Sequence, residues 1–371
     1  MPRTFLTPAK DFTDVSRGNP KPHSLKGDAL VQARLTQETW RLEIVADGKA
    51  TITKPRKLDD NTAIDFNALV ELGKKHGVKF LKAMQCNNIA LPLGQGLWEG
   101  VPLRDVLKLV GKIDNARRLF YWGFHNNDPK QMFRSSLPMN QVLDTALGEL
   151  PPFIAYRLNG EPIPLLRGGP VRIVVPWTHG FKSIKWLQKI TITDDYRNND
   201  TYAEQNNDPE SYLKTAAYID NLQAETFPSG KPITITGTCM VGLPGLAHVE
   251  YWLRGETGTH GRIADDDPAW KTAKWRPCEI APLPPDDWGG GLPNGVLPKN
   301  VWGFNDEGKP KEWPLRYSIA LWSVTLKDLK PGGYEFRVRT VDQNGFAQPE
   351  PRPYQKSGQN AIRCKQFVVM E

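Results

Sequence analysis

The sequence predicts an α+β protein: a mixed helix-and-strand unit in the first half, followed by a β-sandwich in the second. Three observations predict it. The 32 glycines and 32 prolines in 371 residues exceed average usage of roughly 7% and 5%, which favours turns and short strands over long helices. Helical spacing of apolar residues is read in two segments, 65–76 and the stretch after Pro102, both before residue 111. From about residue 230 the pattern changes to short alternating strands separated by turns, as in a sandwich of two sheets.

Composition bounds the remaining possibilities. With 39% hydrophobic and 24% charged residues the chain is globular, and its length accommodates two domains. No run approaches the roughly 20 apolar residues of a membrane helix, so no membrane insertion is expected. The opening MPRTFLTPAKDF lacks the apolar core of a secretion signal. The location is periplasmic if a leader has been removed and cytoplasmic if the chain is complete as given. Lys and Arg total 48 against 41 Asp and Glu, a net charge of +7, which favours anionic ligands or an acidic partner. No run of five or six basic residues and no nucleic-acid motif occurs, so nucleic acid is not an expected partner. The cysteines at 86, 239, 278 and 364 form neither a CxxC pair nor a zinc pattern, so each stands alone.

Taken in order, residues 1–38 read as an irregular arm with PKPH at 20–23. A strand follows at 40–45, where Trp40, Leu42 and Ile44 alternate with Arg41 and Glu43. Residues 65–76 space Phe66, Leu69, Val70 and Leu72 as a helix ending at Gly77. The strand-like VKFLKAMQC then puts Cys86 at a strand end. A loop containing Pro92, Gly94 and Gly96 leads to a second helix, with Pro102 near its start and Val106, Leu107 and Val110 as its stripe. Residues 117–124, 153–158 and 171–177 are strand-like, and the loop THGFKS leads into IKWLQKITIT. The polar stretch up to residue 230 reads as a linker. Five strands are predicted beyond it, at 233–239, 248–253, 319–326, 334–341 and 363–369. A long insertion between the second and third carries five tryptophans, and its WGGGLPNG stretch at 288–295 reads as a flexible loop. The resulting domains are 1–195 with the arm 1–38, a linker 196–230, and 231–371.

Two features bear chemistry. Cys86 leaves a strand into a loop with Asn87, Asn88, Pro92 and several glycines, a setting that presents a ligating or nucleophilic thiolate as readily as a small buried hydrophobe. His76, His125 and His179 are available as bases but form no local motif, so nucleophile and metal ligand both remain open. Arg167, Gly168, Gly169, Pro170 and Arg172, then His179, Gly180, Phe181, Lys182, Ser183 and Lys185, place cations beside glycines on two loops flanking one apolar strand. That is a phosphate-sized anion site or a solvated basic rim. No phosphate-loop or dinucleotide fingerprint occurs.

The ordered set MQCNN, LWEGVPLRDVL, PPFIAYRLNGEPIP, GGPVRIVVPWTHGFKSIKWLQKI and DQNGFAQPEP resembles the sulfite oxidase family of molybdopterin enzymes over most of the chain. The resemblance implies a molybdopterin domain of sulfite-oxidase type to about residue 195 and an immunoglobulin-like dimerisation domain from about 230, hence a homodimer. It implies molybdenum and molybdopterin as cofactors, with Cys86 as the protein thiolate on the metal, a soft anionic ligand suited to it. Tyr156 and Arg17 match active-site positions. Asn19, His125, Arg167, Arg172, Gly180, Phe181, Lys182 and Lys185 match or neighbour the cofactor-binding ones. The implied reaction is oxygen-atom transfer on a small sulfur compound, in either direction. Because no CxxCH haem motif is present, the implied electron carrier is a separate chain such as a cytochrome c.

The sequence departs from the family where it bears on substrate. Sulfite-oxidising members follow their cysteine with Ala-Gly-Asn-Arg-Arg, whereas this chain reads Asn87, Asn88, Ile89, Ala90, Leu91. An arginine that would hold a dianion is absent there. The VVPW-x-x-GFK segment resembles instead the periplasmic methionine sulfoxide reductase catalytic subunit. Three alternatives are therefore carried forward: a sulfoxide-type reductase, a lapsed cofactor domain that only binds an anion or partner, and a hydrolase with Cys86 as nucleophile.

Overall fold

The computed structural model describes residues 5–87, 89, 91–124, 132–198, 200–201, 208–222, 226–256, 262–264, 267–284, 287–349 and 360–371. The first half contains two principal sheets. One is ordered Ile64–Asp65, Arg41–Ala46, Leu187–Thr193, Arg118–Gly123 and Arg134–Pro138. Its pairing of Arg41–Ala46 with Leu187–Thr193 is parallel and ties the start of the unit to its end. The other is ordered Glu161–Pro162, Phe153–Leu158, Gly94–Pro102 and Val78–Met84, with Arg172–Val174 also on Phe153–Leu158.

The predicted helix is Phe66–His76. Its N-cap Asp65 accepts from Ala68 N at 2.7 Å, and Leu69 is its buried residue. Leu103–Leu107 follows Pro102 and buries Val106 and Leu107. These helices cover a core of Trp40, Leu42, Ile44, Tyr121, Ile190 and Ile192, the inward half of the alternation read at 40–45.

Residues 94–102 are a nine-residue strand where the glycines suggested a loop. The glycines serve close approach. A Cβ on Gly96 would lie 2.4 Å from Leu158 Cδ1, and one on Gly100 would lie 2.1 Å from Ile154 O. The arm runs along this strand's edge: Thr7 N donates to Gln95 O at 2.8 Å and Thr13 N to Leu93 O at 2.9 Å.

The second half is a β-sandwich. One sheet is ordered Ala216–Ile219, Ile233–Met240, Ile319–Leu326 and Glu279–Ile280; the other is Thr226–Pro228, Arg363–Met370, Gly332–Val341, His248–Glu256 and Arg276–Pro277. Ile235, Cys239 and Trp322 of the first meet Val249, Phe336, Val338 and Phe367 of the second in one core. All five predicted strands are present. The segment 196–230 differs from expectation, since Ala216–Ile219 and Thr226–Pro228 are edge strands of the two sheets. They are too short, at four and three residues, to stand out from polar surroundings.

The halves share a core. Phe80, Trp98 and Phe153 pack with Leu213, Tyr218, Met240, Tyr317 and Ile319. The stretch 288–295 is anchored, not the loose loop expected: Trp288 meets Phe5 edge-on at 5.1 Å, and Asn159 Nδ2 donates to Gly290 O at 2.9 Å. Among the described residues no helix is long and apolar enough to cross a membrane. None of the four cysteines is in a disulfide.

Candidate functional site

The strand Val78–Met84 delivers Gln85, Cys86 and Asn87 into a loop whose members are tied individually. Gly180 N donates to Gln85 O at 2.6 Å, Gln85 Nε2 donates to Ile89 O, and Ser211 Oγ donates to Asn87 Oδ1 at 3.0 Å. Lys82, on the same strand, is fully buried and donates to Pro176 O at 2.6 Å and Thr178 O at 2.9 Å. The cysteine strand and the 176–180 loop are therefore clamped together.

A cavity of about 550 Å³ opens over Cys86. The arm supplies one wall through Phe12, Thr13, Val15, Ser16 and Arg17. Met84, Ile89, Leu93, Trp98, Phe133 and Phe181 supply apolar surface, and Arg167, Arg172 and Lys185 the charge. The Arg17 guanidinium lies 5.3 Å from the Phe133 ring centre.

The three cations are fixed by backbone oxygens. Arg172 donates to Arg167 O at 2.8 Å and Ser183 O at 2.6 Å. Lys185 donates to Leu166 O at 2.9 Å and Ser16 Oγ at 2.7 Å, and meets Asp14 Oδ1 at 3.3 Å. Gly168, at φ +97°, lets the 165–167 turn lie against Lys185; a Cβ there would be 2.6 Å from Lys185 Cβ.

Burial, with Arg172 as a second cause, pushes Lys185 down to about 7. Burial, then Arg167, pushes Arg172 down to about 9. Asp14 makes the ion pair to this trio among the described residues, and Nε of both Arg167 and Arg172 is buried without a hydrogen-bond partner. Positive charge buried in this excess, with orphaned donors, fits an anionic tail of phosphate size. No group of three His, Cys, Asp or Glu side chains among the described residues is placed to hold a metal. Cys86 therefore fits a metal whose other ligands come from the bound group itself.

The cavity brings together seven of the eleven residues that the resemblance marked: Cys86, Arg17, Arg167, Arg172, Gly180, Phe181 and Lys185. Lys182 is not among them. Its ammonium turns away to Asp200 Oδ2 at 2.7 Å and Ser136 O at 2.9 Å, because a buried cation beside a buried carboxylate pairs with it. Tyr156 is also elsewhere. Alternation along Phe153–Leu158 sends Phe153 and Ala155 to the inter-domain core and Ile154 and Tyr156 to the opposite one. There the Tyr156 hydroxyl donates to Glu99 Oε1 at 3.5 Å, and burial, reinforced by Glu99, pushes it up to about 12. Asn19 is exposed on the arm and does not line the cavity. His125 lies outside the described residues. Sequence reading missed Phe12, Ser16, Trp98 and Phe133, whose place in the cavity is set by the path of the arm and by the register of neighbouring strands.

Comparison with known proteins agrees with this chemistry. Residues 29–201 match the model of the oxidoreductase molybdopterin binding domain. The chain is 38% identical over 104 residues to the protein-methionine-sulfoxide reductase catalytic subunit MsrP of Xanthomonas campestris pv. campestris, covering 26% of this chain and 31% of that one. It is 28% identical over 184 residues to the mitochondrial sulfite oxidase of Homo sapiens, covering 47% and 32%, and 36% identical over 107 residues to the nitrate reductase [NADPH] of Fusarium oxysporum, covering 29% and 11%. The chain thus matches a third or less of the length of each of these relatives. The fold is similar to that of the sulfane dehydrogenase SoxCD from Paracoccus pantotrophus, with a TM-score of 0.61, 16% identity and coverage of 94% of this chain and 85% of that one. With a cysteine and cations lining one cleft, residues 29–201 form an oxidoreductase molybdopterin-binding domain, whose cofactor is molybdenum held by molybdopterin.

Proposed function

We propose that this chain is an oxidoreductase that transfers an oxygen atom to or from a small sulfur compound. The observation that carries the reading is that one cavity is lined by Cys86 together with the buried Arg167 and Arg172 and the part-buried Lys185. When bound, the cofactor supplies a metal at which an oxygen atom and two electrons are exchanged. In the reductive direction a sulfoxide, two protons and two electrons give a thioether and water; the oxidative direction reverses this.

The chain's own residues do the rest. The Cys86 thiolate holds the metal, while Arg167, Arg172 and Lys185 grip the pterin's phosphate. Phe12, Trp98 and Phe181 exclude water from the cleft, and Arg17 stands at the arm side of it. The electrons pass to or from a separate carrier such as a c-type cytochrome. The sandwich of residues 231–371 is read as the immunoglobulin-like dimerisation domain, and 1–195 as the cofactor domain. Sulfur substrates are supported by the relatives, named for sulfite oxidation and methionine sulfoxide reduction.

The test is metal analysis followed by a substrate screen. Protein from a cofactor-competent host is expected to hold about one molybdenum per chain, lost in Cys86→Ser. The loaded protein is expected to turn over at least one of sulfite, thiosulfate or a sulfoxide with an artificial electron carrier. Metal-free protein from such a host would instead favour a lapsed binding module.

A further inference from the structure

Beside Cys86 stands a polar side chain with an unused donor. Asn87 is 5% exposed yet lines the cavity. Its amide oxygen is taken by the Ser211 hydroxyl at 3.0 Å, while its amide nitrogen has no protein acceptor among the described residues. With the oxygen held from behind, the N–H groups are what Asn87 offers to the cleft.

Ser211 is built for that task. It is fully buried and sits at φ +56°, in the left-handed region that a non-glycine residue occupies at a cost. Its carbonyl accepts from His179 N at 2.8 Å. One strained residue therefore grips both loops that border the candidate metal ligand, the one carrying Asn87 and the one carrying His179 and Gly180. It lies beyond the matched molybdopterin-binding segment, which ends at residue 201. The stretch leading into the sandwich thereby completes the site.

The surroundings settle what such a donor would meet. Cys86 and Ile89 pack with Met84 and Leu93 in an apolar cluster. The cations Arg172 and Lys185 are instead drawn to the carbonyls of Leu166, Arg167 and Ser183. A neutral donor on an apolar wall pairs well with a neutral acceptor, and it lacks the charge needed to desolvate a dianion. We propose that Asn87, held by the positioning residue Ser211, donates a hydrogen bond to the oxygen of an uncharged S=O group, so that the site takes a neutral sulfoxide and not a sulfur oxyanion. This rests on the function proposed above and names its substrate class.

The test uses holoenzyme of equal molybdenum content with dimethyl sulfoxide as the probe. Asn87→Ala is expected to raise KM about fivefold, the loss of one neutral hydrogen bond, with kcat within about twofold. Asn87→Asp, which turns a donor into an anionic acceptor, is expected to raise it further. Ser211→Gly removes the hydroxyl but relieves the left-handed backbone, so KM should rise while the melting temperature holds or increases. A merely structural serine would instead lower the melting temperature and leave KM unchanged. Unchanged KM in both Asn87 variants overturns the proposal, as does a parent enzyme that turns over sulfite and ignores the sulfoxide.

A parent without molybdenum sinks the functional reading instead, and the cofactor-free protein then decides on the pair. There, iodoacetamide brings a neutral carbonyl to Cys86 and iodoacetate an anion. Asn87→Ala should slow the first about fivefold relative to the second, and an unchanged ratio overturns the proposal.

Discussion

Replacing Lys182 by methionine separates a structural cation from a cofactor-binding one. The Lys182 and Asp200 side chains are 2% and 0% exposed and meet at 2.7 Å. Burial pulls the ammonium below its ordinary range, opposed by Asp200. Removing it strands a buried carboxylate, which typically costs about 3–5 kcal/mol. Ser135 Oγ at 3.0 Å and Ser136 Oγ at 2.5 Å still donate to Asp200, so the lower end, about 3 kcal/mol, is expected. For a unit of this size that lowers the melting temperature by about 6–12 °C. Adding Asp200→Asn removes the stranded charge and should recover part of the loss. Differential scanning calorimetry, with molybdenum content measured after loading at a temperature where both proteins are folded, reads the two effects separately. A melting temperature within about 2 °C of the parent together with lost molybdenum would refute the reasoning and put the Lys182 ammonium in the cavity.

Other outcomes follow from the same geometry. Burial, with Arg172 second, pushes Lys82 and Lys185 down to about 7, whereas the unfolded chain keeps both protonated to about 10.4. The folded cofactor-free protein therefore binds fewer protons over that window, and its stability should rise between about pH 7 and about pH 8.5, less steeply in Lys82→Met. A parent whose melting temperature is flat or falls there contradicts the assignment. Gly168→Ala puts a Cβ 2.6 Å from Lys185 Cβ at φ +97°. It should destabilise by at least about 1 kcal/mol and weaken pyrophosphate binding measured by calorimetry. Trp288→Ala empties the contact with Phe5 and should cost about 3–5 kcal/mol. Faster hydrogen exchange at Leu6 and Thr7 would report the loosened arm.

Much of the fold was legible because local chemistry and tertiary environment agree. Asp65 before an apolar 3.6-residue repeat caps the helix Phe66–His76, and alternation at 319–326 coincides with the strand Ile319–Leu326. Legibility failed where packing overrides local preference. Gly96 looks like a loop residue but sits in the strand Gly94–Pro102, because the adjoining strand leaves no room for a Cβ.

For the site, residue type alone marked Cys86, Arg167, Arg172 and Lys185, since a thiol at a strand end and cations among glycines are unusual enough to be seen without coordinates. Which of several neighbouring cations faces the cavity was decided only by the fold. Lys182 and Lys185 lie three positions apart on one turn, and a buried carboxylate more than a dozen residues downstream, Asp200, draws the first away. Tyr156 was turned by strand parity into the opposite core, and Asn87 acquired its orientation from Ser211, 124 residues distant. Charge, thiol chemistry and periodicity are properties of a residue and its near neighbours. The direction a side chain takes depends on which remote partner satisfies it, and that pairing exists only once the chain has closed on itself.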